Sequence, residues 1–166
     1  RWLAIRTRSK AEKVVLKQLQ TKEIEAYLPL LHLVRRYTRK VRTVMLPLIP
    51  GYLFVHVAKE QFVKTIETEH VLGFVKFANE LATVSEAEIE LLRRITGVQS
   101  EVEIVPMAYE VGEEVEIASG NLAGMVGILV VVKQKNKVLI ELKSINLGLL
   151  LEVDINNLLK TKYISA

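Results

Sequence analysis

The sequence predicts an α+β domain followed by a small all-β domain. Two observations carry that expectation. Over the first hundred residues, short strand-like runs alternate with stretches of helical period. Beyond Pro106 the helical period disappears, and short β-branched runs are separated by glycine-containing turns. The 166 residues are enough for two small domains, each with its own core, and half of them are apolar.

Taken in order, Trp2 to Thr7 predicts a buried first strand. Ser9-Lys10-Ala11-Glu12 has the form of a capping box, with Ser9 as N-cap and Glu12 reaching back. In the helix that follows, Ala11, Val15 and Leu19 form the buried stripe, while Lys10, Lys13 and Lys17 lie on another. Tyr27 to Val34 is extended, since Pro29 opposes helix. Arg35 to Arg42 then reads as a basic β-hairpin or its tip. Pro47 and Pro50 bracket a turn that leads into the strand Tyr52 to Val57. A short helix is expected from about Lys59 to Glu69, burying Phe62, Val63 and Ile66, and then a strand from Val71 to Phe77. Ser85-Glu86-Ala87-Glu88 is a second capping box, opening a helix that buries Ile89, Leu92 and Ile95 and stops at Gly97.

Val102 to Val105 is read as a last short strand of the first domain, which spans residues 1–105, with a linker at 106–110. The second domain, 111–166, has strand-like runs at Glu114–Ile117, Met125–Val132, Val138–Leu142 and Leu149–Val153, the spacing of a small barrel or sandwich.

The composition excludes several function classes. With no cysteine there are neither disulfides nor thiolate metal sites, and His32, His56 and His70 fall in no zinc-type spacing. Gly120, Gly124 and Gly127 match neither phosphate-loop spacing, and no nucleophile elbow exists. An enzyme is not expected, and no cofactor or metal is implied. The apolar runs are too short to cross a bilayer, so no membrane role is expected and a cytoplasmic location is. The chain opens on Arg1 rather than Met, so some leading residues are expected to precede it.

Charge is segregated. Residues 1–42 hold twelve Lys or Arg against three Glu, whereas residues 43–105 hold five against nine and residues 106–166 six against seven. A basic segment of this kind is the sequence form of a nucleic-acid footprint, because lysine and arginine neutralise backbone phosphates and release counterions. The candidates are Arg8, Lys10, Lys13 and Lys17 on the first helix and Arg35, Arg36, Arg39, Lys40 and Arg42 on the hairpin. Tyr52 and Phe54 share one face of their strand. Such a pair is core unless that face is an exposed apolar patch, in which case it is a partner site.

The strings Arg1-Trp2-Leu3-Ala4-Ile5, Pro50-Gly51-Tyr52-Leu53-Phe54-Val55 and Val71-Leu72-Gly73-Phe74-Val75 resemble the N-terminal (NGN) domain of NusG-type transcription factors. Val111-Gly112-Glu113-Glu114-Val115-Glu116-Ile117, with Gly120, Gly124 and Gly127 after it, resembles a KOW module, an SH3-like barrel. The resemblance implies an antiparallel NGN sheet flanked by helices, then that barrel. It implies a bacterial elongation regulator docked on the clamp helices of RNA polymerase, touching the non-template strand or the upstream duplex, with a second protein partner on the KOW domain. A monomer is expected. By position, Ile49, Pro50, Tyr52 and Phe54 would form the polymerase patch, and Phe62, Lys64 and Thr65 would lie toward the opposite cleft wall. Arg6 stands where the family often has an aromatic, and Gly120-Asn121-Leu122 replaces Gly-Pro-Phe. The long basic hairpin resembles specialised paralogues of the RfaH or UpxY kind, which act in antitermination at particular operons. The alternative is a ribosome- or RNA-binding KOW protein.

Overall fold

Strand β1 (Trp2–Thr7) lies inside a sheet because almost all its side chains tolerate burial: every one is buried except Arg6. The structure, a computed structural model, describes residues 1–97, 102–106 and 112–161. The chain divides into two compact units, Arg1–Thr96 and Gly97–Ala166.

Helix α1 (Glu12–Thr21) buries Ala11, Val15 and Leu19 as their spacing predicts. It does not use the predicted capping box. Ala11 is the N-cap residue and makes no side-chain cap. The Arg8 amide donates to the His70 carbonyl and the Ala11 amide to Arg8, and Lys10 takes a left-handed φ of 63°. That turn ties the segment to the sheet and starts the helix two residues late. Glu12, instead of reaching back, is buried.

The chain continues through β2 (Glu25–Tyr27), the hairpin β3 (Leu30–Arg36) and β4 (Val41–Pro47), and β5 (Tyr52–His56). A 3-10 turn at Lys59–Gln61 precedes α2 (Phe62–Ile66). The expected helix of Lys59 to Glu69 is therefore shorter, and its buried face differs. Val63 and Ile66 are exposed, while Thr65 and Thr68 are buried. The two threonines can face inward because each hydroxyl donates to the carbonyl four residues back, Gln61 at 2.8 Å and Lys64 at 3.1 Å.

Next come β6 (Val71–Phe74), β7 (Lys76–Phe77), β8 (Glu80–Leu81), β9 (Thr83–Val84) and α3 (Glu86–Thr96). The single strand expected over Val71–Phe77 is split, because Lys76–Phe77 folds back onto β8 across a turn with positive φ at Ala78 and Asn79. The second capping box does form. The Glu88 amide donates to Ser85 Oγ at 3.1 Å, and Ile89, Leu92 and Ile95 are fully buried.

The sheet order is β2-β5-β1-β6, with β9 also beside β1, and every pairing is antiparallel. One face, with Leu3, Ile5, Leu53 and Val55, packs on Val15 and Leu19 of α1. The opposite face carries Trp2, Ala4, Phe54 and Tyr27, and α3 spans it. Trp2 Nε1 donates to Glu86 at the start of that helix (3.2 Å), and the Tyr27 hydroxyl bonds Thr96 at its end (3.5 Å). Both faces of the central strands are thus covered, except at the Arg6–Tyr52 end of the α3 side.

The second unit is a six-stranded antiparallel sheet built from β10 (Val102–Pro106), β11 (Glu114–Ile117), β12 (Val126–Val132), β13 (Lys135–Leu142), β14 (Leu147–Glu152) and β15 (Leu158–Lys160). Their order is β10-β14-β13-β12-β11-β15. The reading that put Val102–Val105 in the first domain is corrected by its pairing with Leu147–Leu151. Of the expected linker only Pro106 is described, as the end of β10; residues 107–110 lie outside the described residues. Gly127 is required by close packing, since a Cβ there would stand 2.5 Å from the Leu139 carbonyl oxygen.

Candidate functional site

The β3–β4 hairpin forms where the sequence places it, with Tyr37 and Lys40 closing its turn through paired backbone hydrogen bonds. Its base is apolar: Leu31 faces Leu46 and Leu33 faces Val44. Along the same face the next pair is Arg35 opposite Arg42. Like charges directly opposite each other destabilise a ladder, so this pair calls for an anion. Arg36 lies on the other face, Arg39 and Lys40 sit in the turn, and all five cations are exposed. No Asp or Glu occurs between Leu30 and Pro47.

On α1, Lys13 and Lys17 are one turn apart and exposed, as are Arg8 and Lys10 in the segment before it. Lys10 and Lys13 line a cleft of about 180 Å³ together with the buried Glu12 and with Leu46 and Pro47 at the base of the hairpin. The cleft brings the α1 cations to the base of the hairpin, while Arg35, Arg36, Arg39, Lys40 and Arg42 lie toward its tip. Among the described residues none of these nine cations forms an ion pair, whereas Arg93, Lys135, Lys137 and Lys160 each pair with a glutamate.

The apolar patch is smaller than the resemblance implies. Pro50 is exposed and Tyr52 half-buried, but Ile49 and Phe54 are 3% and 0% exposed and cannot touch a partner. Phe54 is sealed because its face of the sheet lies under α3. The run Tyr52 to Val57, apolar on both faces, carried that signal, since a strand with one wet face alternates. Toward α2, Phe62 is half-buried with its ring 5.1 Å from that of Phe74, and Thr65 is fully buried. Lys64 is exposed, and its ammonium donates to the Lys22 carbonyl while Lys22 donates to that of Lys64.

The sequence reading left Arg6 out of the candidate site and expected Val63 and Ile66 to be buried; these three and Leu72 are exposed. Arg6 stands over the Tyr52 ring, its guanidinium carbon 5.9 Å from the centroid. Its signal was a charge inside an otherwise apolar strand. Among the described residues no three His, Asp or Glu side chains gather as a metal site, and no helix is long and apolar enough to cross a membrane.

Comparison with known proteins bears on the first unit most directly. A family model described as transcription termination factor nusG matches residues 1–93. A solved structure titled for domain interaction in Thermotoga maritima NusG is similar at 20% identity, covering 97% of each chain with a TM-score of 0.59. A chain from the MjSpt4:Spt5 complex in conformation A aligns at 20% identity over 97% of this chain and 98% of its own, with a TM-score of 0.34. No curated protein matches.

Proposed function

The chain belongs to the NusG family, and on that premise we propose that it is a bacterial transcription elongation regulator that holds nucleic acid against RNA polymerase. The first unit docks on the polymerase clamp helices through the solvent-facing part of the Pro50–Tyr52 surface, with Phe62 and Lys64 toward the opposite wall of the cleft. The hairpin cations and the α1 cations take the phosphates of the non-template strand or the upstream duplex. The second sheet is a KOW barrel of the SH3-like kind, with β10 as part of it, and recruits a further protein. The long basic hairpin favours a specialised paralogue that promotes processive elongation, or antitermination, at particular operons. It acts as a cytoplasmic monomer.

The observation that carries this reading is the acid-free hairpin with its five exposed cations, together with four more exposed cations on α1 and the segment before it, none of which forms an ion pair among the described residues. Phosphate contacts of this kind show up in salt dependence, at roughly 0.9 in slope per phosphate on duplex DNA. Replacing Arg35, Arg36, Arg39, Lys40 and Arg42 together by Gln should flatten the dependence of log K on log salt by about 4. Polymerase binding should remain, and Tyr52→Ala should weaken it without moving the thermal midpoint. An unchanged salt slope in the five-site variant would reject the nucleic-acid role. RNA binding retained by that variant and traced to the second unit would favour the ribosomal or RNA-binding reading, against which that segment's slight acidity counts.

A further inference from the structure

Arg6 is out of place by the ordinary rules of a central strand. Its neighbours Ala4 and Ile5 are fully buried, yet it occupies the same strand, between Tyr52 on β5 and Gly73 on β6. A long cation in the middle of a sheet face is tolerated only if its head reaches water or a counter-charge. Here it reaches water. Arg6 is exposed, and among the described residues no carboxylate pairs with it. Its guanidinium carbon lies 5.9 Å from the centroid of the Tyr52 ring, within cation–π reach.

The register partners of Arg6 carry no charge. Gly73 has a φ of 145°, and a Cβ built there would meet nothing within 4 Å, so the sheet face beside Arg6 is open. The pairing of β1 with β6 shifts between Arg6 and Thr7, which leaves Leu72 as the extra residue, 58% exposed. Pro50 stands exposed two residues before Tyr52. An exposed arginine beside a tyrosine, with exposed Leu72 next to Gly73 on β6 and exposed Pro50 just before β5, has the composition of the centre of a protein interface, where tyrosine and arginine are enriched. It contrasts with the hairpin, where cations neighbour other cations and the natural ligand is a polyanion.

We propose that Arg6 determines the specificity of the docking face, binding a carboxylate of the protein that covers Tyr52. The partner surface is thereby defined chemically: an apolar patch containing one aspartate or glutamate placed to meet the free side of the guanidinium. Desolvated between two proteins, such an arginine–carboxylate contact is a charge-assisted, bidentate hydrogen bond, and a neutral partner surface would leave the arginine buried and unpaired. The inference rests on the docking role proposed above.

The test titrates the full chain against RNA polymerase at several salt concentrations, using Arg6→Gln, Arg6→Lys, Arg6→Glu and Tyr52→Ala. Arg6→Gln should weaken binding about tenfold and Arg6→Glu further, with Arg6→Lys between wild type and Gln. The salt slope for polymerase should also fall in the Gln variant, which loss of packing alone would not cause. The binding lost in Arg6→Glu should be partly restored by exchanging one partner carboxylate for lysine. Arg6 is exposed, so the Arg6 variants should melt as wild type does. If Tyr52→Ala weakens binding while the Arg6 variants bind normally, the specificity role falls and the docking role stands. If the wild-type chain does not bind polymerase, both fall. If Arg6→Gln loses DNA or RNA and keeps polymerase, the ligand is a phosphate and the proposal is overturned.

Discussion

At the scale of single residues, Tyr52 and Phe54 show how little separates a contact from a core. They share a strand face two residues apart, yet one ring stays partly in solvent and the other is closed off under α3. Phe54→Ala should therefore act as a core truncation, costing about 3–5 kcal/mol in denaturant unfolding, and is no clean probe of docking. Tyr27, on the same side of the sheet, is also partly covered. Burial pushes its phenol above the ordinary value near 10, against the lowering effects of the Thr96 hydrogen bond and of Arg93. The unfolded chain then loses that proton first as pH rises. Its contribution to stability is complete below about pH 10 and is lost as pH climbs through the raised value. Tyr27→Phe should make the alkaline fall in thermal midpoint shallower than in wild type. Residue chemistry of this kind was only half legible. The alternation of the strand placed both rings on one face, but nothing local said where the covering helix would end.

Elements were legible where backbone hydrogen bonding is written into the side chains. Ser85 and Glu88 form the cap their spacing predicts, and α3 begins beside them. Ser9 and Glu12 have the same spacing and form none, because a tertiary bond from the Arg8 amide to His70 reshapes the turn. The short α2 was misjudged for a different reason: hydrophobicity pointed to Val63 and Ile66, while the inward positions went to threonines able to satisfy their own hydroxyls. Turns carry a further expectation. β12 and β13 are joined by Lys133 and Gln134, both with positive φ (51° and 64°), as a two-residue type I′ hairpin turn requires. Asn-Gly suits that turn far better, since left-handed φ costs other residues about 1–2 kcal/mol each. Lys133→Asn with Gln134→Gly should raise unfolding free energy by about 1 kcal/mol, read as a shifted denaturant midpoint with unchanged slope.

For the whole molecule, the order of elements in the first unit and the all-β character of the second could be read from hydrophobic period, and the family match over residues 1–93 agrees with the resemblance seen in a few strings. Less legible was the membership of Val102–Pro106. A short alternating run carries no mark of which sheet it will join, and its partner, Leu147–Glu152, lies some forty residues on. The uneven distribution of charge is the feature on which the proposed nucleic-acid role rests, because Lys and Arg on an acid-free hairpin have no folding role that requires them. They do have a colloidal one. β3 and β4 pair only with each other, so the hairpin presents unpaired amides and carbonyls along both outer edges, the template on which chains stick together. Arg35, Arg36 and Arg42 act as gatekeepers there, and stripping their charge leaves a ribbon of Leu33, Val34, Val41 and Val44 ready to self-associate. On the proposed nucleic-acid role, a variant stripped of these charges would lose its ligand and its protection against aggregation together.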